Sequence, residues 1–556
     1  MRISKRIKTG IIAGAITVTG FGLVSFADDY FEISRNLDIF ASLYREVNIY
    51  YVDEIKPGEM MKTGIDAMLK SLDPYTNYIP ESEIEDYRFM TTGQYGGIGA
   101  LIAKKGEYIM ITDPYENFPA QKAGLLAGDL IVEIDGKPLT GKNSDDVSKF
   151  LKGQPGTSVK LMIQREGVDK PFEKIVMREE IKIPAVSYSG VIGDGTIGYI
   201  RLTSFTENCG KEVGDALVKL KTENKITSVV FDLRDNPGGL LNEAVNIVNL
   251  FEPKGTLVVN TKGKVKEWDK SYRTLNQPID MDMPMAVLIN SGSASASEIV
   301  SGCVQDLDRG ILIGTRSYGK GLVQTTRPLP YNAQLKVTTA KYYIPSGRCI
   351  QALDYSNRNA DGSVGHVPDS LMTQFKTKDG RTVYDGGGVV PDFIIEPDTA
   401  SAIAVSLVSK FLIFDYATKY RSTHATIAPA KDFALTDQDY ADFTNWLSDK
   451  DFDYTTRSEK LLQDLKKVAI REKEYDDAQA DFEDLNKKLS HNKQEDLQKH
   501  KVEIEEMLEN EIVSRYYYEK GRTQNEFKYD KDVNKAIEAL SNKAVYTSII
   551  ETNHSK

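Results

Sequence analysis

Histidine and cysteine are scarce in this chain, and each shortage narrows the chemistry open to it. The five histidines are His366, His424, His491, His500 and His554, so nothing in residues 1–365 can complete a serine–imidazole pair locally. No H-E-x-x-H motif occurs, which removes the commonest histidine zinc site. The three cysteines, Cys209, Cys303 and Cys349, are too few and too scattered for a disulfide framework or a thiolate metal site, and none forms a C-x-x-C pair. No metal or other cofactor is implied. Basic blocks are also missing beyond the N-terminus, and a net charge of -11 argues against nucleic acid as a partner. What remains is an ordinary globular balance, 40% hydrophobic and 27% charged over 556 residues. Such a length accommodates roughly three or four domains with buried cores.

One long uncharged run stands at the N-terminus. Arg2, Lys5, Arg6 and Lys8 precede Thr9 to Ala27, which ends Ser25-Phe26-Ala27 before Asp28-Asp29. A basic n-region, an apolar h-region and a small-x-small cleavage site predict export, with residues 1–27 as a signal peptide. At ~1.5 Å per residue the run also has the length of a bilayer span, so membrane association through residues 9–27 as an uncleaved anchor stays open. Either fate places the rest outside the cytoplasm, in the periplasm or cell envelope.

The remaining texture predicts a multidomain α+β chain. Residues 28–90 form an N-terminal helical segment, with Leu37, Phe40, Leu43, Tyr44 and Val47 spaced three and four apart. Residues 91–178 break into short β-type runs punctuated by glycine. Residues 179–397 alternate strand-like and helical runs, the pattern of a layered α/β domain. Residues 398–556 are helical and heavily charged, with Leu461, Leu465 and Val468, then Phe482, Leu485 and Leu489, as apolar stripes. Those stripes read as packing faces rather than as chemistry.

Two glycine-rich motifs mark the β-rich domain, Gln94-Tyr-Gly-Gly-Ile-Gly99 and Ala123-Gly-Leu-Leu-Ala-Gly-Asp-Leu-Ile-Val-Glu-Ile-Asp-Gly136. Glycines before a strand can be a plain turn, or can free successive N–H groups to capture a chain-terminal carboxylate while the peptide adds as an extra strand. Further on, the strand-like Met285 to Asn290 runs through Ser291-Gly-Ser-Ala-Ser-Ala-Ser-Glu298 into a helical pattern. The serines there either cap the helix or present one nucleophilic hydroxyl at a tight strand–helix turn, beside N–H groups for an oxyanion. A hydroxyl needs a base, and with no imidazole nearby in sequence a lysine can serve if its amine is neutral, which requires a pKa lowered by about 3 units from ~10.4 at roughly 4 kcal/mol. Lys320, between glycines in Tyr318-Gly-Lys-Gly-Leu-Val-Gln324, is the candidate; alone it would read as a solvated surface residue.

In order, the PDZ-like motifs, Phe231-Asp-Leu-Arg-Asp-Asn-Pro-Gly-Gly239, Ser293-Ala-Ser-Ala-Ser-Glu298 and Tyr318-Gly-Lys-Gly-Leu-Val-Gln324 resemble the C-terminal processing peptidases, or tail-specific proteases. The likeness spans about residues 35–395, from before Ser71-Leu-Asp-Pro-Tyr75 to Gly388-Val-Val-Pro-Asp392. It implies a PDZ domain at 91–178 and a layered Ser/Lys protease core of the ClpP/crotonase-like kind at 179–397. It implies further that Ser295 is the nucleophile, Lys320 the base, Gln324 the residue orienting the lysine, and the N–H groups of Ala296 and Gly239 the oxyanion hole. Substrate C-termini would then bind near Gly97, Ile98 and Gly99, and in several relatives of this type the PDZ domain also gates the active site. The C-terminal helical region, about 160 residues, lies beyond the shared core and is open to oligomer or adaptor contacts. Rival expectations are an inactive PDZ scaffold of the envelope that only binds peptides, a hydrolase of small esters or thioesters, and a structural role for the helical tail.

Overall fold

The computed structural model describes residues 30–359 and 361–550; the expected leader or anchor at 1–27 and His554 lie outside them. Among the described residues no helix is long and apolar enough to cross a membrane.

Of the described residues, those from 30 to 78 form a unit of their own. A helix over 30–50 is followed by the helix Pro57–Lys70, opened by its proline. The Tyr44 hydroxyl donates to the Pro57 carbonyl at 2.7 Å. In the Ser71-Leu-Asp-Pro-Tyr stretch, the Asp73 carboxylate accepts the N–H groups of Tyr75 and Thr76, each at 2.8 Å, and so fixes the turn.

The β-rich domain is an antiparallel sheet of Ala100–Lys105, Tyr108–Pro114, Leu130–Ile134, Ser158–Gln164 and Phe172–Met177, paired in that order. Its period-2 pattern is plain in Ser158–Gln164, where Val159, Leu161 and Ile163 are buried and Ser158 and Lys160 are exposed. Helix Ser144–Leu151, capped by the Asn143 side chain on the Asp146 N–H, closes one side with Val147 and Leu151.

The α/β core is a six-stranded sheet in chain order: β1 (Val186–Ile192), β2 (Ile197–Leu202), β3 (Ser228–Asp232), β4 (Met285–Ile289), β5 (Ile311–Gly314) and β6 (Phe393–Ile394). The β1/β2 pair is antiparallel and the rest are parallel. The crossover helices α1 (Cys209–Lys219), α2 (Leu241–Val248) and α3 (Ala296–Asp306) pack on one face, burying Val213, Leu217, Ile247, Ile299 and Val300 against Phe231 and Val287. Central strands β3, β4 and β5 are buried throughout, as a parallel sheet covered on both faces requires. The second cover comes from far along the chain: helix Lys531–Ser541 lays Val533, Ala536 and Ala539 on Tyr199, Val230, Ala286 and Leu288. The hairpin of Leu322–Pro328 and Gln334–Tyr343 belongs to a second sheet, in which Gln334–Tyr343 also pairs with Leu257–Gly263 and that strand in turn with Lys270–Arg273.

The other C-terminal helices enclose their own core around Leu407, Tyr416, Phe443, Leu508 and Ile512. The expected stripe of helix Arg457–Glu472 is corrected here. Leu461, Leu465 and Val468 are exposed, and the helix buries Leu462 and Ala469 instead, because its packing contacts fall one residue further round the helix.

Candidate active site

The serine stretch is resolved by where each hydroxyl goes. The Ser293 hydroxyl donates to the Leu233 carbonyl at 2.8 Å and that of Ser297 to the Asn236 carbonyl at 2.9 Å, both buried. Their protons are engaged. Ser295 lies between them at the end of the β4–α3 turn and lines a cavity of about 550 Å³. An ordinary N-cap residue has extended backbone angles. Ser295 has φ 56° and ψ -109°, a sparsely populated conformation for a residue with a Cβ, of the kind that projects a hydroxyl from a sharp strand–helix turn.

The turn before α2 is laced to this elbow. The Ala294 N–H donates to the Asn236 carbonyl at 3.0 Å, the Asn236 side chain donates to the Leu202 carbonyl at 2.8 Å and accepts the Gly238 N–H at 2.9 Å. Gly238 must be glycine: its φ is 96°, and a Cβ there would lie 2.6 Å from the Ala294 carbonyl oxygen and 2.9 Å from the Ala296 nitrogen. Gly239 forms a parallel bridge with Phe205 through the Gly238 carbonyl and the Leu240 N–H, so its own N–H stays out of the pairing. Ala296 is the first residue of α3, where N–H groups lack intrahelical partners.

Lys320 reaches the same cavity from the loop leading into the hairpin. Gly319 before it has φ 86° and packs so tightly on Ala352 that a Cβ would come within 2.4 Å. Gln324 donates its side-chain amide to the Thr338 hydroxyl at 3.1 Å, which turns its carbonyl oxygen into the remaining acceptor. Thus Ser295, Ala296, Lys320, Gln324 and Gly239 all line one cavity, and none of its lining residues is a histidine. Its lining also holds no carboxylate.

Sequence reasoning missed the residue that joins these parts. Glu298, fully buried, accepts the Ser295 N–H at 2.8 Å and the Lys320 N–H at 2.9 Å on Oε2, and the Gly319 N–H at 2.7 Å and the Ser317 hydroxyl at 2.5 Å on Oε1. Burial pushes its carboxyl above the ordinary range while these four donors pull it back. The available signal was the Ser295-x-x-Glu298 spacing of a capping box. Tyr342 was missed too; its buried hydroxyl donates to the Ser295 carbonyl at 3.2 Å.

Gly97, Ile98 and Gly99 lie in the β-rich domain, outside this cavity. Gly97 ends a short ladder with Glu179–Lys182, the Ile98 carbonyl accepts the Ala120 N–H at 2.7 Å and the Gly99 carbonyl accepts the Tyr115 N–H at 3.0 Å. They lead into strand Ala100–Lys105, which lies beside helix Ser144–Leu151.

Three family models match the chain in order: a PDZ domain over residues 110–165, peptidase family S41 over 196–355, and the C-terminal helical domain described as "Probable PDZ-protease, C-terminal helical domain" over 403–540. The carboxy-terminal-processing protease of Bartonella bacilliformis is 38% identical over 343 residues, 61% of this chain and 76% of that protein. A "Probable CtpA-like serine protease" of Staphylococcus aureus is 34% identical over 354 residues, 63% of this chain and 70% of its own. The solved photosystem II D1 C-terminal processing protease aligns with 64% of this chain and 92% of its own at 26% identity and a TM-score of 0.34. Fold and motif order define a PDZ-bearing serine peptidase of the S41 class. The chain belongs to the carboxy-terminal-processing protease family.

Proposed function

We propose that this chain is an exported serine endopeptidase that recognises the C-terminal tails of protein substrates through its PDZ domain and cuts them with a Ser295–Lys320 dyad. The observation that carries the reading is the gathering of Ser295, Lys320, Gln324, Ala296 and Gly239 on one cavity that no imidazole lines. The neutral Lys320 amine takes the Ser295 hydroxyl proton as Oγ bonds to the scissile carbonyl carbon. The N–H groups of Ala296 and Gly239 hold the oxyanion, worth several kcal/mol where water is excluded. The C–N bond then breaks, the Lys320 ammonium protonates the leaving amine, and an acyl-Ser295 ester remains. Water, giving its proton to Lys320, hydrolyses the ester and the proton returns to Ser295. Gln324, its amide nitrogen held by Thr338, orients the lysine through its carbonyl oxygen.

The tail would enter the PDZ domain at Gly97, Ile98 and Gly99, its carboxylate on backbone N–H groups, and export rests on the basic and apolar pattern of residues 1–27. Incubating the chain without residues 1–27 with an unstructured polypeptide, beside Ser295→Ala and Lys320→Ala, tests the dyad: cleavage should vanish in both variants. Survival in either moves the chemistry elsewhere, and no cleavage by the parent chain favours a peptide-binding scaffold. Peptides ending in apolar residues should stimulate hydrolysis of an unrelated reporter if the PDZ domain gates access. A reporter fused to residues 1–27 should leave the cytoplasm.

A further inference from the structure

The cavity carries a second lysine that the dyad does not use. Strands Leu322–Pro328 and Gln334–Tyr343 pair with Gln324 opposite Thr338 and Thr326 opposite Lys336. Residues two apart share a face of a strand, so Gln324, Thr326, Thr338 and Lys336 all stand on the same side of the hairpin. That side walls the cavity: Gln324, Thr326 and Lys336 line it, and the Tyr87 hydroxyl, from helix Ile84–Thr92, meets the Thr326 hydroxyl beside Lys336.

Lys336 is half-buried, and among the described residues no carboxylate pairs with it. Burial lowers its ammonium from the ordinary lysine range, with no acid to oppose the shift. Neither does the cavity lining supply an acid, in a chain whose net charge is -11. Lys336 cannot replace Lys320 as the base. Tyr342, which touches Ser295, lies six residues further along the same strand, about 20 Å at ~3.3 Å per residue and beyond the reach of a four-carbon stem.

We propose that Lys336 is a carboxylate anchor in the substrate cleft, receiving an acidic group of the bound polypeptide about three to five residues from the scissile bond. The hydroxyls of Thr326 and Tyr87 stand ready to complete its hydrogen bonding. The inference rests on the proteolytic reading for the direction of the cleft. A carboxylate could come from an Asp or Glu side chain on either side of the cut, or from the chain terminus on the C-terminal side alone.

Two experiments on the chain lacking residues 1–27 decide it. In the first, an unstructured polypeptide is digested and its cut bonds are mapped by mass spectrometry for the parent and for Lys336→Glu. Asp and Glu should be enriched at one fixed offset from the cut, and Lys336→Glu should lose that enrichment or exchange it for Lys and Arg. In the second, dye-labelled peptides carrying Glu or Gln at that offset (in the absence of a map, scanned over three to five residues from the centre), with a free or amidated terminus, are titrated into the Ser295→Ala chain. The Glu peptide should bind on the order of tenfold more tightly than the Gln peptide. Lys336→Met should erase the difference, Lys336→Arg keep it and Lys336→Glu reverse it, while the Gln peptide binds all variants alike. A penalty from amidation in place of one from Glu→Gln, erased by the same variants, assigns the chain terminus as the source. Equal binding of all peptides, or equal weakening of every peptide by Lys336→Met, overturns the anchor. Failure of the proteolytic reading looks different: the parent does not cut, or Ser295→Ala cuts as well as the parent, whatever the peptides bind.

Discussion

The backbone N–H of Lys320 donates to Oε2 of Glu298 at 2.9 Å, the same oxygen that takes the Ser295 N–H. One buried carboxylate therefore fixes the proposed nucleophile and base relative to each other through their backbones, leaving both side chains to the cavity. Glu298→Gln replaces one acceptor oxygen with an NH2 group facing N–H donors. Each buried donor left unpaired costs about 1–3 kcal/mol. Glu298→Gln should lose about 2–4 kcal/mol in denaturant unfolding and lower kcat at least 100-fold with little change in KM, since the proposed dyad rather than the cleft is displaced.

Ser295 is held at φ 56° by the strand before it and the helix after it, a conformation that costs about 1–3 kcal/mol for a residue with a Cβ. Ser295→Gly should therefore remove peptidase activity while raising stability by about 1 kcal/mol, read as a higher melting temperature. Ser293→Ala and Ser297→Ala should do the opposite. Each removes a buried hydrogen bond to the turn before α2, costing about 1–2 kcal/mol, and each keeps the Ser295 hydroxyl and measurable turnover.

The serine turn and the lysine loop were legible because their chemistry is local: a strand, small residues and a helix within one short stretch, and glycines flanking a lysine. The β3, β4 and β5 strands declared themselves as unbroken apolar runs. Glu298 was visible only as part of a motif, since a carboxylate that caps its own helix and also binds a distant loop has the same local spacing as one that merely caps the helix. Lys336 was invisible for a related reason. Its meaning comes from the register of the hairpin, which sets it opposite Thr326 and turns it inward, and register is not written in a polar, alternating strand. The second cover of the core sheet could not be read at all, because Val533, Ala536 and Ala539 come from a region whose apolar spacing looks the same whether it packs on a neighbour helix or on a sheet.

Arg234 ties that late helix to the core. Its guanidinium donates to Asp232, to Asp530 at 2.7 Å and to Asp532 at 3.0 Å, and Asp232 is fully buried with a further bond from the Tyr199 hydroxyl. Burial pushes Asp232 up, but the charge and fork of Arg234 win and hold its carboxyl below the ordinary range. Removing the partner of a buried charge costs about 3–5 kcal/mol. Arg234→Met should lose that much in chemical denaturation, and Arg234→Met with Asp232→Asn should recover a large part. Because Arg234 opens the Asp235-Asn-Pro-Gly-Gly239 turn, the single variant should also lower kcat. Asp530→Asn, which leaves the Asp232 pair in place, should have the smaller effect on both.

Where the β-rich domain meets the C-terminal helices, Asp113 lines a cavity of about 700 Å³ with Gln121, Arg515 and Tyr518. Burial pushes its carboxyl up to about 6, against the pull of Arg522 and Arg515 and with the push of Glu519 and Glu511. Its unfolded value is about 3.9. Between these the folded chain holds the proton more tightly than the unfolded one, so this group makes stability fall as pH rises from about 4 to 6, and the full penalty persists above that window. At 1.36 kcal/mol per unit, and allowing for partial solvent access, the penalty is about 1–3 kcal/mol. Asp113→Asn keeps the shape and removes the ionisation. It should raise stability by that amount at pH 7 to 8, leave it nearly unchanged at pH 4, and flatten the slope between, measured by urea unfolding across the series. An Asn variant less stable than the parent at pH 8 would mean that the arginines, rather than burial, govern this carboxylate.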